Sequence, residues 1–374
     1  MNIDQETLEK NVWEALKTCQ EPELRKDIVS LKMIQNLSIK EGVVSFDYIL
    51  TTPACPLKME MEAEAMSAVR KVPGVVDVHI RMSHDVQKDP RLENVLPPGI
   101  KNIIAVGSGK GGVGKSTVSA NLALALALEG ASVGLLDADI YGPNQPQMMG
   151  VGNQTPEVGP DKKIIPLESF GVKLMSMGFL MDADAPVIWR GPMLHSAVVQ
   201  FLKDVVWGNL DYLVIDLPPG TGDVQLSLCQ SAPIVGAVLV TTPQSIALSD
   251  VRKAAAMFEK LKVPLLGVVE NMGSFACPHC GKSSHIFSEG GARFVSEKYQ
   301  IPILGNIPLD PAVCQAGESG RPVVTLEKSA TAQAFRSLAR QVAARVSVVS
   351  AKTKPIEIKI KAATADDKTK EAMI

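Results

Sequence analysis

The stretch IIAVGSGKGGVGKSTVSANL, residues 103–122, sets an apolar strand, a glycine loop and a helix in direct succession. Gly109, Gly114, Lys115 and Ser116 fit the spacing G-x-x-x-x-G-K-[ST]. Glycines let the backbone curl until its N–H groups point inward at phosphate oxygens. The helix that follows adds partial positive charge at its N-terminus. In such a loop the lysine, Lys115, reaches the β- and γ-phosphates and the hydroxyl, Ser116, binds Mg²⁺. The candidate nucleotide loop is therefore Gly109, Lys110, Gly111, Gly112, Val113, Gly114, Lys115, Ser116 and Thr117, and the cofactors it predicts are ATP and Mg²⁺.

Outward from this loop, short aliphatic strands alternate with helices: SVGLLDAD, YLVIDLPP, AVLVTTP, LLGVVENM and ILGNIPL, with KSTVSANLALALALE and SIALSDVRKAAAMFEKL among the helices. This alternation predicts a doubly wound, mostly parallel α/β sheet over 101–350, with a long irregular stretch at 142–170. Residues 1–84 predict a small α+β domain in front of it. Leu8, Val12, Trp13 and Leu16 have helical spacing, and VVSFDYIL (43–50) and VVDVHIRM (75–82) read as strands around a second helix. Residues 85–100, polar and proline-bearing, read as a linker. Residues 351–374, dominated by charge and small residues, read as a disordered tail.

Composition narrows the function. Apolar residues are 46% and aromatics 4%, which suits an aliphatic core under a parallel sheet. The net charge of −2 gives no global field for nucleic acid, so no nucleic-acid partner is expected. No apolar run has membrane-spanning length and the acidic N-terminus lacks a signal core, so neither membrane nor export is expected. Six scattered cysteines do not form a disulfide framework, and the default location is a reducing cytoplasm.

Open parallel sheets bind ligands at the carboxyl ends of their strands. VGLLDADIYGP puts Asp137 and Asp139 at such an end, and DYLVIDLPPGTGD does so for Asp216. Asp216 reads as the carboxylate that holds Mg²⁺ through water, Asp139 as the residue orienting the attacking water, and Asp137 as a metal-side helper. Gly220 is expected to offer its N–H to the γ-phosphate. ENMGSFACPHCGKSSHIF (270–287) holds a CxxC pair, Cys277 and Cys280, at metal-ligand spacing. One pair is half a tetrahedral site. Half a zinc ribbon completed by His279 or His285, a redox dithiol, and no metal at all are all readings of the pair taken alone.

The motifs GSGKGGVGKST, LLDADIYGPN, VIWRGPM, LDYLVIDLPPGTGDVQLSL, VTTPQ, ENMGSFACPHCGKSSHIF and GNIPLDP together resemble the Mrp/ApbC family of iron–sulfur cluster carrier ATPases, in the MinD–ParA–nitrogenase iron protein branch. EPELRKDIVSLKMIQNLSI and TTPACP resemble the small domain of SufT/PaaD-type maturation factors. The resemblance implies ATP hydrolysis with Lys110, Lys115 and Asp139 as catalytic residues, Lys110 reaching the partner's nucleotide across a homodimer. It implies Asn271 as an adenine contact. It also implies a [4Fe–4S] cluster bridged between subunits by Cys277 and Cys280 from each, since a two-fold axis turns two cysteines into Cys₄. Donor scaffolds and recipient apoproteins would be its partners. Cys55, in TTPACP, is expected near a helix N-terminus that lowers its pKa, with a cluster or partner role; Cys19, Cys229 and Cys314 are expected to be buried or partly buried. The rival function is a MinD/ParA-like spatial organiser, for which SATAQAFRSLARQVAARVSVV would be the amphipathic membrane helix.

Overall fold

The computed structural model describes residues 4–92, 99–140, 142–180, 191–277, 280, 282–287, 289–326 and 329–353. His279 and the tail from 354 lie outside them. In the small unit, helix α1 (Gln5–Lys17) begins where Asp4 accepts a hydrogen bond from Thr7 N at 2.8 Å. Its buried face is Leu8, Val12 and Leu16, one residue per turn, with Trp13 only partly buried beside it. Strand β1 (Ile34–Lys40) pairs antiparallel with β2 (Val43–Leu50), which pairs parallel with β3 (Asp77–His84). Helix α2 (Lys58–Arg70) supplies the crossover and buries Met61, Ala65 and Val69.

The large unit is a parallel sheet of seven strands: β4 (Ile100–Ser108), β5 (Val133–Asp137), β6 (Val172–Ser176), β7 (Leu210–Asp216), β8 (Gly236–Thr241), β9 (Leu265–Ala276) and β10 (Ile303–Leu309). Their spatial order is β6-β5-β7-β4-β8-β9-β10. Two short antiparallel additions complete it, Leu167–Ser169 on β6 and Ser283–Ser284 on the far end of β9. The expected sheet is mixed in this way at its edges. β6 lies outside the strands expected from sequence. It has only five residues, one of them Lys173, and so lacks the apolar run that marks its neighbours.

Helices cover both faces. On one face lie α3 (Lys115–Leu128) and the last helix described, α9 (Ala330–Lys352). Every residue of α3 from Val118 to Leu126 is buried, because it is wedged between the sheet and α9. On the other face α4 (Gly191–Asp204), α5 (Asp223–Ser231), α6 (Ser245–Lys260) and α7 (Gly291–Tyr299) enclose a second core around Phe201, Phe258 and Val295. Helix α8 (Pro311–Glu318) follows β10. The apolar face of α9, with Phe335, Leu338, Val342 and Val346, is spent on this packing. No helix among the described residues is long and apolar enough to cross a membrane.

Residues 85–92, read from composition as linker, are tied down. Val86 is buried in the large unit's core, and Asp89, fully buried, pairs with Arg91 at 2.6 Å. Arg91 also donates to the Ile234 carbonyl at 2.9 Å.

Candidate nucleotide and cluster site

The strand register creates the site. Asp216 stands level with Asp137 on β5 and with Val106 on β4, so both carboxylates and the start of the glycine loop meet at the carboxyl edge. The loop passes so close to its surroundings that glycine is obligatory at two points. A Cβ on Gly109 would lie 2.0 Å from the Asp250 carbonyl carbon at α6. Gly114 has φ +80°, and a Cβ there would lie 2.2 Å from Asn271 Nδ2.

Lys115, nearly buried, sends its ammonium to Asp216 Oδ1 at 2.7 Å, to Ser116 Oγ at 3.3 Å and to within 3.5 Å of Asp139 Oδ2. Asp216 Oδ1 also accepts from Ser119 Oγ at 2.8 Å, and Oδ2 accepts from Gln145 Nε2 at 2.9 Å. Asp137 Oδ2 accepts from Ser176 Oγ at 2.9 Å, and Oδ1 accepts from the Asp139 backbone N–H at 3.1 Å. Burial, then the neighbouring Asp216 charge, pushes the Asp137 carboxyl up to about 8. Ser119, Gln145 and Ser176 lie outside the glycine-loop motif, so no sequence signal marks them. Ser116 and Asp216 offer hard oxygen donors, the set Mg²⁺ takes, so the residues fit that ion.

A cleft of about 410 Å³ opens beside the loop, lined by Gly114, Thr117, Asn271, Leu309, Asp310 and Cys314 among others. Its size suits a nucleoside. Asn271 borders the cleft, and its Nδ2 donates to the Val113 carbonyl at 2.9 Å. It straps β9 to the loop. The Gly220 N–H donates to the Ser108 carbonyl at 3.2 Å. Lys110 forms no ion pair within 4 Å among the described residues, and its carbonyl accepts from Ser108 Oγ.

Past Asn271, β9 runs on, with Phe275 level with Leu309 of β10, into a hairpin that sets Phe275 opposite Ser284 and Ala276 opposite Ser283. Cys277 N–H donates to the Lys282 carbonyl at 3.0 Å and closes it. Cys277 is half-buried and Cys280 exposed at the tip. Among the described residues no three His, Cys, Asp or Glu side chains are grouped to hold a metal. His285 Nδ1 lies 2.8 Å from the Gly273 carbonyl and its Nε2 3.3 Å from Glu289.

The other cysteines correct two expectations. Cys55 lies 3.8 Å from Met61 Sδ, and burial pushes its thiol up rather than down, reinforced by Glu23 and Glu21. Cys314 is exposed, and its bond to Glu318 raises its pKa. Cys19 and Cys229 are buried. The loop bearing Cys55 packs on the amino edge of the large sheet: Ala54 enters that core and Thr52 accepts from the Tyr212 hydroxyl. Cys55 and the CxxC pair therefore lie at opposite ends of the strands.

Fold and site together define a P-loop nucleotide-binding α/β protein with an attached α+β domain. Comparison with known proteins narrows this. Residues 99–343 match the model of the NUBPL iron-transfer P-loop NTPases, and residues 9–80 match that of an iron–sulfur cluster assembly protein. An iron–sulfur cluster carrier protein of Deinococcus radiodurans is 50% identical, covering 89% of this chain and 94% of its own. One of Escherichia coli is 41% identical, over 91% and 93%. Among solved structures, a nucleotide-binding protein from Archaeoglobus fulgidus in complex with ADP is 41% identical with a TM-score of 0.54, covering 62% of this chain and 90% of that one. The chain belongs to the NUBPL iron-transfer P-loop NTPase family.

Proposed function

We propose that the chain binds and hydrolyses ATP with Mg²⁺ at the 109–117 loop and carries an iron–sulfur cluster between two copies of itself. Cys277 and Cys280 of each copy would supply the four thiolates of a [4Fe–4S] cluster. The cluster is cargo, received from a donor scaffold and passed to apoproteins. One observation carries the reading: a single strand, β9, straps the nucleotide loop through Asn271 and then runs on to Cys277. Movement of the loop with its nucleotide is thereby transmitted to the thiolates. The homodimer supplies the missing half of the thiolate cage and brings Lys110, which forms no ion pair among the described residues, toward the partner's phosphates. The carrier proteins of Deinococcus radiodurans and Escherichia coli support the same assignment.

Anaerobic reconstitution with iron and sulfide tests it, read by absorbance, by iron per chain and by gel filtration. The wild type should gain a cluster and elute as a dimer. Cys277→Ala and Cys280→Ala should lose the cluster. A protein that stays monomeric with its full complement of iron would refute the bridged site.

A further inference from the structure

Gln145 is fully buried where three parts of the nucleotide site meet. Its Nε2 donates to Asp216 Oδ2 and to the Ser116 carbonyl, both at 2.9 Å, and its backbone N–H donates to Asp137 Oδ2 at 3.2 Å. Both side-chain partners are acceptors. Turning the amide round would set its oxygen against a carboxylate and a carbonyl, so the orientation is fixed. Oε1 is then left buried without a hydrogen-bond partner among the described residues. An orphaned amide oxygen is costly to keep, and the cost is relieved when a donor arrives with a ligand. Bound Mg²⁺ brings such donors, because it retains several of its waters. The two residues that Gln145 ties together, Ser116 and Asp216, are the ones whose oxygens would hold that ion.

We propose that Gln145 is a positioning residue for magnesium. It fixes the spacing of Ser116 and Asp216, and its Oε1 accepts a hydrogen bond from a water of the bound ion. The proposal rests on the nucleotide reading of the glycine loop. The turn Gln145–Met148 is pinned independently at its far end, where Gly150 packs against the Gly320 backbone so closely that a Cβ on Gly150 would lie 2.8 Å from the Gly320 carbonyl oxygen. Loss of the side-chain bonds therefore leaves the turn in place.

A fluorescent ADP analogue titrated into the full-length protein, once with Mg²⁺ and once with EDTA, separates the possibilities without involving hydrolysis. In the wild type Mg²⁺ should tighten binding. Gln145→Leu should keep its EDTA affinity within about twofold and lose about tenfold of the magnesium-dependent gain, the effect expected when an outer-shell partner of a metal is removed. Gln145→Glu, of nearly equal volume but unable to donate to both acceptors, should lose it as well. If both variants keep the wild-type gain, the proposal is wrong. If both lose EDTA affinity to the same degree, Gln145 is a structural strut and the proposal is also wrong. A wild type that binds no nucleotide in either buffer would overturn the loop reading and the proposal with it; a wild type that gains from Mg²⁺ leaves the variants to decide the proposal alone.

Discussion

The Tyr212 hydroxyl donates to Thr52 Oγ1 at 3.0 Å, joining the amino edge of the large sheet to the loop that carries Cys55. Asp216, on the same strand as Tyr212, lies at the opposite, nucleotide edge. The small domain is thus held away from the CxxC hairpin. Tyr212→Phe removes one buried neutral hydrogen bond and should cost about 1 kcal/mol. A lowered melting temperature with unchanged nucleotide affinity is the expected result. An unaltered melting curve would show that the contact does not hold the domains together.

Glu23 gives the same junction a pH dependence. It is half-buried, and burial first, then Glu21, push its carboxyl up from 4.5 to about 7, opposed by Arg345 of α9. The folded chain then holds this proton more tightly than the unfolded chain does. Between about pH 4.5 and 7 the folded state binds more protons, so this contribution to stability falls as pH rises through the window and is flat above it. Glu23→Gln should be nearly neutral at pH 5 and stabilising at pH 8, measured as a shift in urea midpoint. Equal shifts at the two pH values would contradict the assignment.

The glycine loop was legible because its code is local: motif, strand and helix lie within twenty residues, and the glycines are there for close approach to Asp250 and Asn271. Asp137 and Asp216 were legible because strand ends are. The groups that orient them were not. Ser119 and Asp216 are 97 residues apart and Gln145 and Asp216 are 71, so only the parallel register brings them together. Asp89 and Arg91 look like linker residues until Arg91 finds Ile234, 143 residues on. Cys55 misled for a related reason: proximity to a helix start was visible in sequence, whereas its burial beside Glu21 and Glu23 is tertiary.

Gly114→Ala should be among the most damaging single changes to nucleotide binding. The new methyl group meets Asn271 Nδ2 at 2.2 Å, and φ +80° is strained for any residue with a Cβ. The left-handed conformation alone costs about 1–2 kcal/mol, and displacement of Asn271 breaks its bond to Val113. Loss of ADP affinity by more than about tenfold is expected from those costs combined. Isothermal titration with ADP measures it, and an affinity near wild type would mean the loop tolerates the displacement.

Cys277 and Cys280 sit at a hairpin tip, one half-buried and one exposed, with the cores elsewhere. Substitution of both by serine should change unfolding free energy by no more than about 0.5 kcal/mol, the usual range for surface positions. Iron content after reconstitution should fall to background. A large loss of stability in the absence of iron would instead assign the pair a structural role within one chain.

Lys110 offers the sharpest test of the dimer. Its ammonium has no acidic partner within 4 Å among the described residues, whereas Lys115 is held by Asp216. Its removal should therefore leave folding and nucleotide affinity close to wild type. A charge supplied in trans to the γ-phosphate is worth about 10³-fold or more in rate, so Lys110→Ala should hydrolyse ATP at least that much more slowly. Mixing separates trans from cis action. A Lys110→Ala chain still holds nucleotide, and a Lys115→Ala chain, unable to hold nucleotide productively, still carries Lys110. Each is inactive alone. In a mixed dimer the second chain reaches the nucleotide of the first, and hydrolysis should return at that one site. If no mixing ratio restores turnover, Lys110 acts within its own chain and the face-to-face dimer loses its chemical justification.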